Sequence, residues 1–294
     1  AILHASSAGS GPGRGRGIDK AGAGRYIAES LHKGHLIMNI ERIRAAVFSP
    51  AGHTRAVVDM LETAWEVEKE RIDLSDRKAD FSNCLFSPSE LCIAAVPAFG
   101  GRVPAAALER LARLRGDGAP AVAVVSYGNR AYDDTLLELK ETLERHGFTV
   151  VAAVAAVAEH TICPQFASGR PSAEDGRELR AFGMKIQKML AAQAQPVAVS
   201  VPGHAPYREY NGIPVKPAAG EACIRCGLCA AKCPVGAIPE QKPQRTDGAL
   251  CISCMRCVAI CPRKARAMPE PFLDAIGRKL EKLCAESKTN ELFL

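Results

Sequence analysis

Five short apolar runs alternate with amphipathic stretches over residues 39–194. The apolar runs centre on residues 43–48, 72–74, 91–96, 121–125 and 148–157. Helical periodicity occupies residues 53–69, 105–115, 132–146 and 172–190. Apolar strands that alternate with helices are typical of a parallel sheet covered on both faces. The pattern therefore predicts an α/β domain over residues 38–194, with a doubly wound, five-stranded parallel sheet in the order 2-1-3-4-5.

The rest of the chain does not continue this alternation. Residues 1–37 contain the glycine-rich run 9–17, and we expect a disordered, low-complexity leader there. Residues 195–220 contain five prolines, which predict an extended, semi-rigid linker. Within residues 269–294 we expect an amphipathic helix at 273–284, covering one end of the preceding module, and then a frayed tail.

Two cysteine blocks of identical spacing lie between the linker and this helix. Residues 223–234 and 251–262 both read C-x₂-C-x₂-C-x₃-C-P, with the second block 28 residues after the first. Such runs hold [4Fe–4S] clusters, and the fourth cysteine of each run ligates the other cluster. The predicted ligands are Cys223, Cys226, Cys229 and Cys261 for the first cluster, and Cys251, Cys254, Cys257 and Cys233 for the second.

Zinc and disulfide bonds are the alternative uses of these thiols. Zinc sites take four ligands in separated pairs, and disulfide frameworks are typical of small secreted chains, so neither fits this spacing. The other four cysteines, at positions 84, 92, 163 and 284, are scattered. They suit buried thiols in a reducing compartment, and we therefore expect a cytoplasmic protein.

Composition and charge limit the other function classes. Hydrophobic residues make up 47% of the chain, but no apolar run approaches the roughly 20 residues of a membrane span. Residues 221–268 carry eight basic and three acidic side chains. This excess predicts compensation of cluster charge and docking of a redox partner with an acidic surface, rather than nucleic-acid binding.

The loop after the first predicted strand has the features of a phosphate site. Ser49, Ala51, Gly52, His53 and Thr54 lie at the start of the first predicted helix, where backbone amides bind anions. The loop resembles the flavodoxin phosphate loop T/S-x-T-G-x-T. Ala51 lacks one hydroxyl of that pattern and His53 replaces the common Asn, so phosphate binding would rest mainly on the backbone.

Residues 221–268 resemble a bacterial two-[4Fe–4S] ferredoxin, a small α+β domain. Residues 39–268 as a whole resemble the flavodoxin–ferredoxin fusion family of anaerobic prokaryotes. This resemblance implies one FMN and two [4Fe–4S] clusters in one chain. It also implies that the loops after the third and fourth strands flank the flavin ring, which adds the candidates Phe99, Gly100, Gly101, Tyr127, Gly128, Asn129 and Tyr132.

Three functions are compatible with these features. The main hypothesis is an electron carrier that passes electrons between the clusters, the FMN and an external redox protein, without an organic substrate. The first alternative is a flavin-dependent reductase of a quinone or nitro compound, with His160 or Arg102 lining its pocket. The second is a phosphate- or nucleotide-binding module with structural clusters. We interpret His160 as a hydrogen-bonded loop residue and Trp65 as a core residue.

Overall fold

A computed structural model describes residues 38–294, and the expected leader at 1–37 lies outside the described residues. The strands are β1 (Arg42–Val47), β2 (Glu68–Asp73), β3 (Glu90–Pro97), β4 (Pro120–Tyr127), β5 (Thr149–Val157), β6 (Ala218–Ala219), β7 (Arg266–Ala267) and β8 (Glu291–Phe293). The helices are α1 (His53–Leu61), α2 (Ala105–Leu111), α3 (Thr135–Arg145), α4 (Ala173–Ala191), α5 (Leu228–Ala231), α6 (Arg256–Ala259) and α7 (Glu270–Leu283).

The main sheet has the strand order β2-β1-β3-β4-β5-β8. Strands β1 to β5 pair in parallel, which confirms the predicted flavodoxin-like order 2-1-3-4-5. The sixth strand was not predicted. It comes from the C-terminal residues of the described chain and pairs with β5 in the antiparallel direction. The expectation of a frayed tail was therefore wrong.

Helices cover both faces of the sheet. Helices α1 and α4 pack together on one face, and α2 and α3 pack together on the other. Each face buries its own apolar cluster, because β3, β4 and β5 consist almost entirely of buried residues. Trp65 is 2% exposed and belongs to the cluster under α1 and α4, as predicted.

The region after α1 differs from its prediction. The first helix ends at Leu61, a 3₁₀ turn follows at Glu62–Ala64, and Trp65 is extended. Residues 68–73 are not helical but form the edge strand β2, which begins earlier than the predicted 72–74. An edge strand tolerates charged residues because one of its sides is open to solvent. The sequence of β2, Glu-Lys-Glu-Arg-Ile-Asp, therefore shows little apolar alternation.

The predicted linker is not a free connector. Its backbone is irregular over 195–217, but it lies against the first domain. The Val199 amide donates to the Val150 carbonyl, and the amides of His204 and Arg208 donate to the Asp134 carboxylate. The segment is therefore docked along the sheet domain instead of spanning a gap.

Helix α7 makes a contact that the sequence did not predict. Its residues Leu280 and Ile276 join Cys163 and Cys284 in an apolar cluster under the loop that follows β5. The helix therefore packs against the α/β domain. Among the four cysteines outside the two blocks, three are buried and Cys84 is partly exposed.

The two cysteine blocks fold as related halves. Each contains one short helix, α5 or α6, and the strands β6 and β7 that flank the module pair with each other. The residue before each helix has a left-handed backbone, with φ 76° at Gly227 and 60° at Met255. Arg225 and Ser253, two residues earlier, are also left-handed. No helix within residues 38–294 combines the length and apolarity that crossing a membrane requires.

Asn290 anchors the C-terminal segment, which leads to a stability prediction. Its buried side chain accepts from the Val157 amide at 2.9 Å and donates to Asp175 Oδ1 at 2.9 Å. The Asn290→Ala variant leaves the buried Val157 amide unpaired and removes one hydrogen bond from Asp175, which Arg170 and the Ser172 amide still contact. We expect a loss of about 1–3 kcal/mol in the free energy of unfolding. Chemical denaturation measures this loss. The exposed Asn83→Ala variant is the control, and an equal effect of both substitutions would contradict the anchoring role.

Candidate functional site

A cavity of about 560 Å³ opens at the carboxyl ends of β1, β3 and β4. This volume lies in the range of small-molecule and cofactor sites, and this edge is where doubly wound sheets bind ligands. The predicted residues that line the cavity are Ser49, Ala51, His53, Thr54, Phe99, Gly100, Tyr127 and Gly128. The predicted residues Gly52, Gly101, Asn129 and Tyr132 do not line it.

The N-terminus of α1 forms one end of the cavity. Gly52 caps the helix with φ 102°, a backbone conformation that favours glycine. The Arg55 amide donates to Ser49 Oγ at 3.0 Å, and the Thr54 and Ser126 hydroxyls hydrogen-bond at 2.7 Å. Since the first amides of a helix have no partner within it, this end of the cavity suits an anion.

Two glycines that line the cavity are in contact with side chains from later in the chain. A Cβ on Gly100 would lie 2.2 Å from the ring of Tyr210, and a Cβ on Gly128 would lie 2.5 Å from His160. Glycine is therefore required here because Tyr210 and His160 pack against the backbone. The sequence analysis assigned this space to the flavin ring, but the side chains of Tyr210 and His160 occupy part of it in the structure.

The other predicted loop residues hold the C-terminal segment. The Asn129 side-chain amide donates to the carbonyls of Cys284 and Glu286, and the Tyr132 hydroxyl donates to Glu291 at 3.0 Å. The Tyr132 ring packs edge-to-face against Tyr127, with centroids 5.2 Å apart. Asn129 and Tyr132 thus fix the architecture around the cavity instead of lining it.

Three segments after residue 195 also line the cavity. The docked linker contributes Arg208, Tyr210, Gly212, Ile213 and Pro214, the second cysteine block contributes Ile252, Ser253 and Cys254, and α7 contributes Phe272, Ile276, Lys279, Leu280 and Leu283. We define residues 208–214 as the strap. Because the strap contains proline and glycine, its composition is that of a linker. Its sequence therefore did not indicate that these residues line a cavity. Only the amphipathic pattern of α7 indicated a buried face.

His160 also lines the cavity and has a fixed ring. Its Nδ1 accepts from the Cys163 amide at 3.1 Å, which confirms its interpretation as a hydrogen-bonded loop residue. Burial lowers the pKa of His160, so its ring is neutral near pH 7 and carries its proton on Nε2. Arg102, the other residue considered for a reductase pocket, binds Glu138 and does not line the cavity.

Unpaired polar atoms favour a polar ligand in this cavity. Its lining contains the cations Arg130, Arg208 and Lys279 and the anion Glu159, and both Arg130 and Arg208 form ion pairs with Asp133. Three other lining residues contain buried polar atoms without a hydrogen-bond partner in the described chain, namely His53 Nδ1, the Tyr127 hydroxyl and the Ser253 hydroxyl. Because buried polar groups are nearly always paired, such atoms are expected where a ligand supplies the partner.

The eight block cysteines lie in two sets, each around a small cavity. Cys223, Cys226, Cys229 and Cys261 line one cavity, which we name the outer thiol cavity. Cys233, Cys251, Cys254 and Cys257 line the other, the inner thiol cavity. In each set, three cysteines come from one block and the fourth from the other block. This grouping equals the crossed ligand sets expected from the sequence.

Backbone amides are directed at the fourth cysteine of each block. The Ala237 amide donates to Cys233 Sγ at 3.3 Å, and the Ala265 amide donates to Cys261 Sγ at 3.2 Å. Burial, with a smaller contribution from the neighbouring cysteines, raises the pKa of the Cys254 thiol to about 12. A thiol in this position becomes a thiolate when a metal supplies positive charge. Within residues 38–294, no three His, Cys, Asp or Glu side chains are close enough together to bind a single metal ion. A cubane does not require such a group, because each of its thiolates binds a different iron.

The inner thiol cavity adjoins the large cavity. Ile252 and Cys254 line both. The guanidinium of Arg110, on α2, is buried and donates to the carbonyls of Leu74 and Pro234. Since Pro234 directly follows Cys233, this contact fixes the inner thiol set to the α/β domain.

Comparison with known proteins identifies one part of the chain. Residues 222–266 match the family described as 4Fe-4S dicluster domain. No curated relative matches the chain. The second half therefore contains a ferredoxin-type domain, as the cysteine blocks predicted.

Solved structures similar to the chain include several flavodoxins. One from the domain Archaea is 14% identical with a TM-score of 0.35, covering 51% of this chain and 97% of the flavodoxin. A Streptococcus pneumonia flavodoxin is 16% identical with a TM-score of 0.36, covering 50% and 97%. An NADH:FMN oxidoreductase is 15% identical with a TM-score of 0.38, covering 54% and 95%. At such TM-scores these likenesses carry no argument, and the flavodoxin-like order rests on the observed strand pairings.

The position of Tyr210 predicts a role in binding the expected flavin. Its ring covers Gly100 at the cavity wall, and stacking of aromatic rings contributes about 0.5–1.5 kcal/mol. We expect the Tyr210→Ala variant to bind FMN roughly 2- to 10-fold more weakly in a fluorescence titration of the flavin-free protein. Tyr210→Phe keeps the ring and should bind like the parent. Equal affinity of all three proteins would exclude a contact between Tyr210 and the flavin.

Proposed function

We propose that this chain, a flavodoxin-like domain joined to a 4Fe-4S dicluster domain, is an electron-transfer protein that carries one FMN and two [4Fe–4S] clusters. The FMN occupies the large cavity, the inner thiol set holds the second cluster and the outer thiol set holds the first cluster. Electrons pass along this series to or from an external redox protein.

The observation that carries this proposal is the shared wall at Cys254. A single cysteine lines both the large cavity and the inner thiol cavity. A cluster bound to its sulfur would be separated from a flavin by side chains of one wall. The inner cluster is therefore the electron-exchange partner of the flavin, and the outer cluster is one step further away.

The residues of the large cavity fit FMN better than a neutral flavin. The amides at the start of α1 and the lining cations suit its phosphate. The buried hydroxyl of Tyr127 and Nδ1 of His53 have no hydrogen-bond partner within residues 38–294. Polar atoms of FMN can supply these partners. Bound FMN supplies a group that takes up two electrons and releases them one at a time.

Segments outside the sheet contribute part of the wall of this site. The strap lies over the loop that follows β3, because the ring of Tyr210 rests on Gly100. Helix α7 contributes the apolar side chains of Ile276 and Leu280. Neutral His160 contributes an Nε2–H donor but no charge. The wall shared with the inner thiol cavity favours electron transfer through the protein over hydride transfer to a small acceptor.

The outer thiol cavity has the surface properties of a docking site. Cys226 is exposed, and Arg225 and Arg263 line the same cavity. The apolar side chains of Ile224 and Leu228 are 61% and 38% exposed beside them. A small apolar patch with a basic rim suits a partner with an acidic contact face. The first cluster is therefore the point of exchange with the external protein.

The crossed ligand sets predict an asymmetric effect of cysteine substitution. In the Cys233→Ala variant, the second cluster should be lost or altered, while the first keeps all four thiolates. In the Cys261→Ala variant the order should be reversed. Electron paramagnetic resonance of the reduced proteins distinguishes the two clusters. Loss of the first cluster in Cys233→Ala with retention of the second would contradict the crossing.

The docking proposal predicts how charged oxidants discriminate between variants. Replacing both Arg225 and Arg263 by Glu should slow oxidation of the reduced protein by ferricyanide roughly tenfold at low ionic strength. The same change should accelerate oxidation by cationic hexaamminecobalt(III). Stopped-flow absorbance measures both rates.

The matched control carries the same charge change on a remote helix. Arg177 and Arg180 are exposed on α4, and their double replacement by Glu should leave both rates nearly unchanged. Equal effects of the two double variants would show that overall charge controls the reaction and that no local docking site exists.

A further inference from the structure

Arg266 is a buried cation without an acidic partner. It is 2% exposed and takes part in no ion pair within residues 38–294. Its guanidinium donates to the carbonyl of Pro243 at 2.7 Å, to the carbonyl of Pro217 at 3.1 Å and to the Thr246 hydroxyl. Its Nε has no partner. Because burial of an unpaired charge is strongly unfavourable, an anion close to this side chain is expected.

The groups near Arg266 that can become anionic are the cluster thiols. Its Nη1 lies 3.9 Å from Cys229 Sγ. Cys229 and Arg266 both line the outer thiol cavity, whereas Arg266 does not line the inner one. One positive charge therefore lies beside the proposed first cluster.

The repeat shows that the fold itself does not require this cation. Arg266 follows Cys261 by five residues, and the residue five positions after Cys233 is Ile238. Ile238 is also buried, with 4% of its surface exposed. The same position of the repeat is thus filled by an apolar side chain in one half and by a charged one in the other.

We propose that the Arg266 guanidinium is the counter-charge of the first cluster and raises its reduction potential. This inference rests on the proposed function, since it requires a cluster in the outer thiol cavity. A cubane gains one electron on reduction and becomes more negative by one charge. A cation beside its thiolates favours the reduced form, so the first cluster accepts an electron more readily than with a neutral residue at position 266.

The test is a redox titration of the complete protein with its clusters, monitored by electron paramagnetic resonance under anaerobic conditions. In Arg266→Met we expect the midpoint potential of the second cluster to change little and that of the first cluster to become more negative, with at least a tenfold smaller equilibrium constant for its reduction. This corresponds to about 59 mV for a one-electron couple. Arg266→Lys keeps the positive charge, so its midpoint potentials should stay close to those of the parent protein. Arg245→Met removes an exposed arginine of the same module and should leave both potentials in place.

The outcomes separate this inference from the proposed function. Two intact clusters with unchanged potentials in Arg266→Met would overturn the inference alone, as would a shift of equal size in both clusters. Equal shifts in Arg266→Met and Arg266→Lys would show a structural role instead of a charge effect. Fewer than two cubanes in the parent protein would overturn both proposals. If Arg266→Met does not assemble its clusters, Arg266→Gln, which can still donate hydrogen bonds, serves the same test.

Discussion

The structure depends on the packing of the chain after residue 195 against the carboxyl edge of the parallel sheet. Asn290 pairs with Val157 at this edge, and Tyr210 rests on Gly100. Arg110 fixes the residue after Cys233 to helix α2. Because of these contacts, a conventional α/β ligand cavity acquires a wall from the cysteine-rich module. Without them the two domains would be separate redox units on a common chain.

The cysteine module has a second constraint, which is that neither block encloses its thiol cavity alone. Each cavity takes three cysteines from one block and one from the other. The left-handed residues before α5 and α6 turn the chain in the same way in both halves, although one of them is Met255 and not glycine. A non-glycine residue in this conformation is strained by roughly 1–2 kcal/mol, which ligand bonds in both halves would offset. Cluster binding and folding of the module are therefore expected to be coupled.

Much of this architecture could be predicted from the sequence because it follows from local patterns. The runs of apolar residues in β3, β4 and β5 gave the parallel sheet, and the spacing of the cysteines gave the two thiol sets. The edge strands were harder to predict, since β2 alternates charged residues and β8 has only three residues. Their pairing is determined by long-range contacts that have no local signal.

The residues of the cavity also divide into those with a local sequence signal and those placed only by tertiary packing. The loop with Ser49 and Thr54 could be placed at this end of the sheet from the sequence, because its residues are continuous and directly follow an apolar run. Tyr210, Ser253 and Cys254 reach the cavity only through tertiary packing, and their segments had been interpreted as linker and cluster loop. The sequence analysis assigned Gly100 and Gly128 to the flavin site, whereas the side chains of Tyr210 and His160 pack against them in the structure.

The central claim is that one chain holds a flavin and two iron–sulfur clusters in contact through a shared wall. The most direct measurement is the iron, sulfide and flavin content of protein purified without oxygen, together with its absorption spectrum. Two cubanes and one flavin predict about eight irons, eight sulfides and one FMN per chain. Four or fewer irons after careful reconstitution, or the absence of flavin from a protein with both clusters, would contradict the account.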